Sequence, residues 1–159
     1  MRPSLPLTFE SRTVSSPDGA EIFVRSGGSG PVVVLLHGYA ETSDSWAPLA
    51  TELVKNYTVV VPDLRGIGRS SRPTGGYDKK TQAADIRAVV TALGHDRTSV
   101  VSHDIGIMVA YAYAHFIQTR LSNSSSWTPR SQASSPGIKS SETRHCGIST
   151  FTVRTQSDL

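Results

Sequence analysis

The sequence predicts an α/β fold with a mostly parallel sheet and flanking helices. Three observations carry this. Pro31–Leu36 is a continuous apolar run, the pattern of a strand covered on both faces. Between residues 31 and 116, β-branched stretches alternate with helix-period stretches. That order calls for parallel strands joined by right-handed crossovers. Three strand ends carry polar or glycine-rich motifs, and ligands of such sheets bind outside the carboxyl ends of the strands.

Each element follows in order. Thr8–Val14 and Glu21–Arg25 read as a hairpin, with Pro17-Asp18-Gly19 as its turn. Ser26–Gly30 is a glycine-rich loop before the apolar strand. Ser43 or Asp44 is placed to cap a helix carrying Trp46, Leu49, Ala50 and Leu53 on one stripe. Tyr57–Val61 is a second β-branched strand. Residues 79–93 form an amphipathic helix with Ala83, Ile86, Val90 and Leu93 inward, stopped by Gly94. Thr98–Val101 is a short strand, and Ile107–Phe116 a helix whose small residues Ala110, Ala112 and Ala114 allow close packing.

Composition narrows the function classes. The 159 residues are 37% hydrophobic, enough for one modest core, and contain no apolar run of membrane-spanning length. Met1–Pro6 lacks the apolar segment of a secretory signal. Cys146 is the only cysteine, which excludes an intrachain disulfide and a cysteine-built metal site. A cytoplasmic protein is the expectation. The net charge of +3 comes entirely from residues 117–159, which hold 5 Lys+Arg against 2 Asp+Glu; residues 1–116 balance at 11 and 11. Those cations (Arg120, Arg130, Lys139, Arg144, Arg154) are scattered among serines, so no nucleic-acid face is expected.

The chemistry-bearing motif is Ser102-His103-Asp104-Ile105-Gly106, between a strand and a small-residue helix. A strand that turns sharply into a helix crowds its neighbours. Small residues at −2 and +2 relieve the crowding and leave the central side chain standing above the sheet. His37-Gly38-Tyr39 and Asp63-Leu64-Arg65-Gly66-Ile67-Gly68 follow the two preceding strands, so all three motifs point to one shared site.

In order and context these motifs resemble the α/β-hydrolase fold family, over roughly residues 8–116, the amino-terminal part of such a domain. An aspartate at the elbow resembles the branch containing epoxide hydrolases and dehalogenases. A carboxylate is already anionic at pH 7, so it needs no base to attack a saturated carbon. The resemblance implies that Asp104 is the nucleophile and forms an alkyl ester. It implies that the backbone N–H groups of Tyr39 and Ile105 form the oxyanion hole, and that His37, Gly38 and Trp46 line the substrate side. The substrate would be an epoxide or another small apolar electrophile, with no cofactor and no metal. Haloalkane dehalogenases place tryptophan after the nucleophile and asparagine after His-Gly, and fluoroacetate dehalogenases place arginine after the nucleophile. Tyr39 and Ile105 match neither pattern, which favours the epoxide hydrolases. One departure is Ala40, where their His-Gly-x-Pro motif has proline.

Plainer roles stand beside these. Asp104 is also a good helix cap, and His37 resembles a loop-shaping residue rather than the general base. Gly66-Ile67-Gly68 fits a tight turn better than a phosphate loop. Asp63 fits loop fixation better than chemistry. His95, His103 and His115 lack metal-ligand spacing.

Residues 117–159 contain 11 serines and no periodicity, the composition of a disordered tail. The further strands, the tyrosine-bearing cap, the acid and the base histidine that the resemblance implies are not recognisable there. His145 is not assigned as the base. As it stands the chain is expected to be a weak or inactive form, or a non-catalytic module that keeps the fold. A shifted reading frame accounts for the change. Regrouping permitted codons of Ser122–Arg130 by one base yields Lys-Leu-Val-Val-Met-Asp-Ala-Pro. Regrouping Arg144–Arg154 yields Ala-Leu-Trp-His-Phe-Asn-Phe-His-Gly-Pro-Asp. Both resemble the family. The nucleotide sequence tests this: a shifted frame interrupted by stop codons would remove the idea.

Overall fold

A computed structural model describes residue 5, residues 8–124 and residues 148–153, with side chains as far as His115. The order is β1 (Glu10–Ser15), β2 (Glu21–Gly27), β3 (Val32–Leu36), a 3-10 turn (Ser43–Trp46), α1 (Ala47–Leu53), β4 (Thr58–Pro62), α2 (Lys79–Ala92), β5 (Thr98–His103), α3 (Ile105–Ser124) and β6 (Ile148–Val153). The strands form one sheet in the order β1-β2-β4-β3-β5-β6. β3 pairs in parallel with β4 and β5, as the alternating pattern predicts. The hairpin joins by an antiparallel β2–β4 pairing.

Side chains alternate across the sheet and divide the core in two. Val32, Val34 and Leu36 of β3, Val60 of β4 and Val100 of β5 face α2 and α3, meeting Ile86, Val89, Val90, Val109, Ala110 and Tyr113. Val33, Leu35, Val59 and Val61 face the other way, onto Trp46, Ala47 and Ala50. A strand between two such layers has no polar face, which is why the run reads as unbroken valine and leucine. Burying each of these side chains stabilises the fold by at most about 1.5–3 kcal/mol.

Several element ends differ from the sequence reading. The turn before α1 is capped by Thr42 rather than Ser43 or Asp44. Both candidates are held elsewhere, because Arg25 donates to the Ser43 hydroxyl at 2.7 Å and to the Asp44 carboxylate at 2.6 Å. α2 matches closely: Asp78 caps it, and Gly94, at φ 79°, ends it in the left-handed conformation that favours glycine. α3 begins at Ile105, not Ile107, because the chain reverses within one residue, Asp104. It runs to Ser124 rather than Phe116, since no proline or glycine interrupts residues 107–124 and most of them tolerate a helix.

Ile148–Val153 falls in the stretch expected to lack structure, yet forms β6, antiparallel to β5. Its β-branched and aromatic composition suits a strand, and β5 would otherwise leave an open edge. Residues 125–147 and 154–159, with His145, Cys146 and four of the five scattered cations, lie outside the described residues.

β3 and β5 are neighbours, but the chain leaves them toward opposite faces. After β3 it packs as α1 on one face; after β5 it packs as α3 on the other. Diverging connections open a crevice at the carboxyl ends of these two strands. His37-Gly38-Tyr39 and the elbow meet there.

Candidate active site

Among the described residues, Asp104 is one of two non-glycine residues with positive φ, at 51°. Left-handed backbone costs an ordinary residue roughly 1–2 kcal/mol, and aspartate is among the few that tolerate it. The elbow is built around that conformation. A Cβ on Gly106 would lie 2.6 Å from the Leu36 carbonyl oxygen and 2.8 Å from that of His37, so the first turn of α3 passes β3 only with glycine there. Ser102, two residues before Asp104, is completely buried.

The Asp104 carboxylate stands exposed above the sheet. Its Oδ2 accepts the Tyr39 N–H at 2.7 Å. The Tyr39 N–H holds the Asp104 pKa below the ordinary carboxylate value; partial desolvation opposes this, and the Ile105 N–H and nearby His103 reinforce it. A helix-capping aspartate would instead hold the N–H groups one turn into α3. The Ile107 N–H bonds the Asp104 backbone carbonyl at 3.0 Å. The side chain is thus committed across the crevice, to the β3 loop.

His37 lies beneath the loops, fully buried. Its Nε2 accepts the Leu64 N–H at 2.9 Å, so the ring proton sits on Nδ1, which faces the Gly38 carbonyl at 2.9 Å. Burial lowers its pKa, which keeps the ring neutral. Nε2 joins the β3 loop to the β4 loop and Nδ1 is turned to the carbonyl of its own neighbour, which leaves neither for an activated water. Trp46, 6% exposed, is also beneath the crevice, in the core under α1. Its ring meets His103 edge-on, with centroids 6.3 Å apart. Gly38 lies in the crevice wall: a Cβ there would fall 2.7 Å from His103 Nε2 and 3.0 Å from the Asp104 Cβ. The Tyr39 side chain points outward, 76% exposed.

Asp63 is buried, and both carboxylate oxygens are occupied. Oδ1 accepts the Ser43 N–H at 2.7 Å and Oδ2 the Arg69 N–H at 2.9 Å. It fixes loops. Gly68, at φ 57°, admits the carboxylate, since a Cβ there would fall 2.2 Å from Asp63 Oδ2. Glu41 escaped the sequence reading. Its Oε2 accepts the Gly38 N–H at 3.1 Å and meets His103 Nε2 at 2.8 Å. The signal available was its place closing a four-residue turn after His37, but an acidic residue in a loop is ordinary. Among the described residues no group of three or more His, Cys, Asp or Glu is placed to hold a metal ion, and no helix is long and apolar enough to cross a membrane.

Comparison with known proteins identifies the family of the fold. The sequence model of the α/β hydrolase fold matches residues 31–130. The soluble epoxide hydrolase of Corynebacterium sp. (strain C12) is 40% identical over 98 residues, 62% of this chain and 34% of that protein. The fluoroacetate dehalogenase of Burkholderia sp is 42% identical over 103 residues, again 62% and 34%. The crystal structure of an epoxide hydrolase from Vigna radiata superposes with a TM-score of 0.66 at 34% identity, covering 70% of this chain and 37% of that one. The chain spans about a third of the length of the curated relatives it matches.

Proposed function

The chain belongs to the α/β-hydrolase fold family, and from that premise we propose that it carries the nucleophile half of an epoxide hydrolase-like site acting through an aspartyl alkyl ester. The observation that supports this is the Asp104 carboxylate, exposed at a left-handed elbow and held on Oδ2 by the Tyr39 backbone N–H. Oδ1 is the oxygen proposed to attack. An Asp104 oxygen bonds to the epoxide carbon, the ring C–O bond breaks, and its electron pair stays on the ring oxygen, which takes a proton from water. The product is an ester on Asp104. In its hydrolysis the developing oxyanion is the ester's carbonyl oxygen, on the enzyme itself, and the Tyr39 and Ile105 N–H groups are the donors proposed for it.

Hydrolysis of the ester needs an activated water, and His37, with both ring nitrogens engaged, does not supply it. An ester long-lived enough to detect is therefore expected. Incubation with a small terminal epoxide, followed by intact-mass measurement, should add one epoxide mass, mapped by proteolysis to Asp104. No adduct, or an adduct elsewhere, would defeat the proposal.

A dehalogenase reading shares the first step, with halide as the leaving group, and the similarity to the fluoroacetate dehalogenase favours it. Against it, the side chains of Tyr39 and Ile105 offer no N–H donor to a departing halide. Labelling by fluoroacetate or a haloalkane faster than by an epoxide would reverse the preference.

A further inference from the structure

One carboxylate ties together the two loops that form the crevice. Glu41 Oε2 accepts the Gly38 N–H at 3.1 Å and meets His103 Nε2 at 2.8 Å. Gly38 immediately precedes Tyr39, whose N–H holds Asp104; His103 immediately precedes Asp104 itself. The Glu41 N–H closes back on the Gly38 carbonyl at 3.4 Å, so residues 38–41 form a turn gripped at both ends by one residue. His103 is backed by the edge of Trp46 and packs closely against Gly38.

A half-exposed contact between two side chains contributes about 0–1 kcal/mol to stability even when both are charged, so stability is a weak explanation for this one. Its third partner distinguishes it, because a backbone N–H next to the oxyanion donor shares the same oxygen. Burial pushes the Glu41 pKa up, but the Gly38 N–H and His103 outweigh this and leave it below the ordinary value, so Glu41 is an anion at neutral pH.

We infer that Glu41 and His103 are positioning residues, bridging the β3 loop to the elbow so that the Tyr39 N–H stays seated on the Asp104 carboxylate. They do not touch the substrate. They set the distance between donor and nucleophile. The inference rests on the ester reading for its consequence in rate, but not for its geometry. A small displacement of a positioned group can slow a reaction by roughly 10- to 100-fold.

The test uses the full chain and two measurements. The first is amide hydrogen exchange by NMR. Glu41→Ala should speed exchange at Gly38 and at Tyr39, while the amides of Val34 and Leu35 in β3 keep their protection. The second is the rate of epoxide labelling of Asp104. It should fall roughly 10- to 100-fold in Glu41→Ala, and Glu41→Gln should restore most of it, because the amide oxygen still accepts the Gly38 N–H. His103→Gln, which keeps a donor toward Glu41, should likewise be milder than His103→Ala. Unchanged exchange at Tyr39 in Glu41→Ala would overturn the inference. So would a loss of protection no greater at Tyr39 than throughout β3. If the unaltered chain takes no label, the ester reading fails, and Tyr39 exchange alone still decides the positioning role.

Discussion

Two aspartates follow the strands that flank β3 in the sheet, Asp63 after β4 and Asp104 after β5, and they are held in opposite ways. Asp63 is 2% exposed with an N–H on each oxygen, one from Ser43 and one from Arg69. Asp104 is exposed, and the hydrogen bond that holds it comes from the Tyr39 N–H of the β3 loop onto one oxygen. Both directly follow a strand. They differ in how many lone pairs the fold has already used. A carboxylate with both oxygens committed to buried backbone donors is a structural acceptor; one held from a single side is oriented, and still able to react. The neighbouring glycines record the difference. Gly68 makes room for the Asp63 carboxylate itself, whereas Gly106 makes room for the backbone beneath Asp104.

The largest expected effect breaks the comparison at its reactive member. Asp104→Asn should reduce epoxide labelling to background, because an amide is a poor nucleophile. Its melting temperature should stay close to that of the unaltered chain, since asparagine also tolerates left-handed backbone. A labelled Asp104→Asn protein would sink the assignment. The pH profile sharpens it. With its pKa below the ordinary 3.8, Asp104 stays ionised, so the labelling rate should remain flat as pH falls to that value and decline only beneath it. A decline centred above pH 5 would indicate a different nucleophile.

The next effect is on stability and comes from Arg65, two residues beyond Asp63. Its fully buried guanidinium bonds Asp85 at 2.9 and 2.6 Å and Asp18 at 2.6 and 2.9 Å. It joins the β4 loop to α2 and to the hairpin turn. Arg65→Met would strand the buried Asp85 without a counter-charge, at a cost of about 3–5 kcal/mol. Urea unfolding followed by circular dichroism reads this directly; a loss below 1 kcal/mol would contradict the account. The Asp18 arm gives a pH signature. Hydrogen bonding from Arg65 lowers its pKa from 3.8 to about 2. A depressed folded-state pKa contributes stability above the unfolded value, which is lost as pH falls through the folded one. Asp18→Asn should therefore flatten the stability profile between pH 4 and pH 2 and leave its shape near neutrality unchanged.

Asp63→Asn comes third. One oxygen becomes an NH2 group facing a backbone N–H, and the charge on the remaining hydrogen bond is lost. Hydrogen bonds to charged groups contribute roughly 1.5–3 kcal/mol each, so a loss of about 2 kcal/mol is expected in the same urea experiment. Because Ser43 and Arg69 lie in separate loops, labelling of Asp104 should change far less than in Asp104→Asn. Equal loss of labelling in the two variants would erase the distinction drawn between the aspartates.

What the sequence made legible follows from range. The β3 run, the stripe of α2 and its Gly94 end are local patterns, visible within one element. The elbow is local too: small residues flank Asp104 because one turn needs them. Arg65 is different. Its partners lie 47 residues before it and 20 after, and nothing in Asp18 or Asp85 alone announces the pairing. Glu41 was missed for the same reason, since its role depends on His103, 62 residues away. The cap of the turn before α1 was misplaced because Arg25 had claimed the two better candidates from another strand.

The smallest expected effect concerns the turn that carries Tyr39. Ala40 has φ 56° and is the third residue of the turn closed by Gly38 and Glu41. Such a position calls for glycine or asparagine in a type II turn. Proline, which the resemblance leads one to expect there, has its φ fixed near −65° and cannot adopt this conformation. The departure at Ala40 is therefore a matter of backbone geometry. Ala40→Gly removes left-handed strain of roughly 1–2 kcal/mol but adds about 0.4–1 kcal/mol of unfolded-state freedom. The net should be a gain of about 0.5–1 kcal/mol, read as a higher urea midpoint at unchanged slope. Ala40→Asn should do nearly as well without the added freedom. Destabilisation by both variants would mean that the Ala40 methyl group supports the turn through a contact outweighing the strain, and that the Tyr39 donor depends on it.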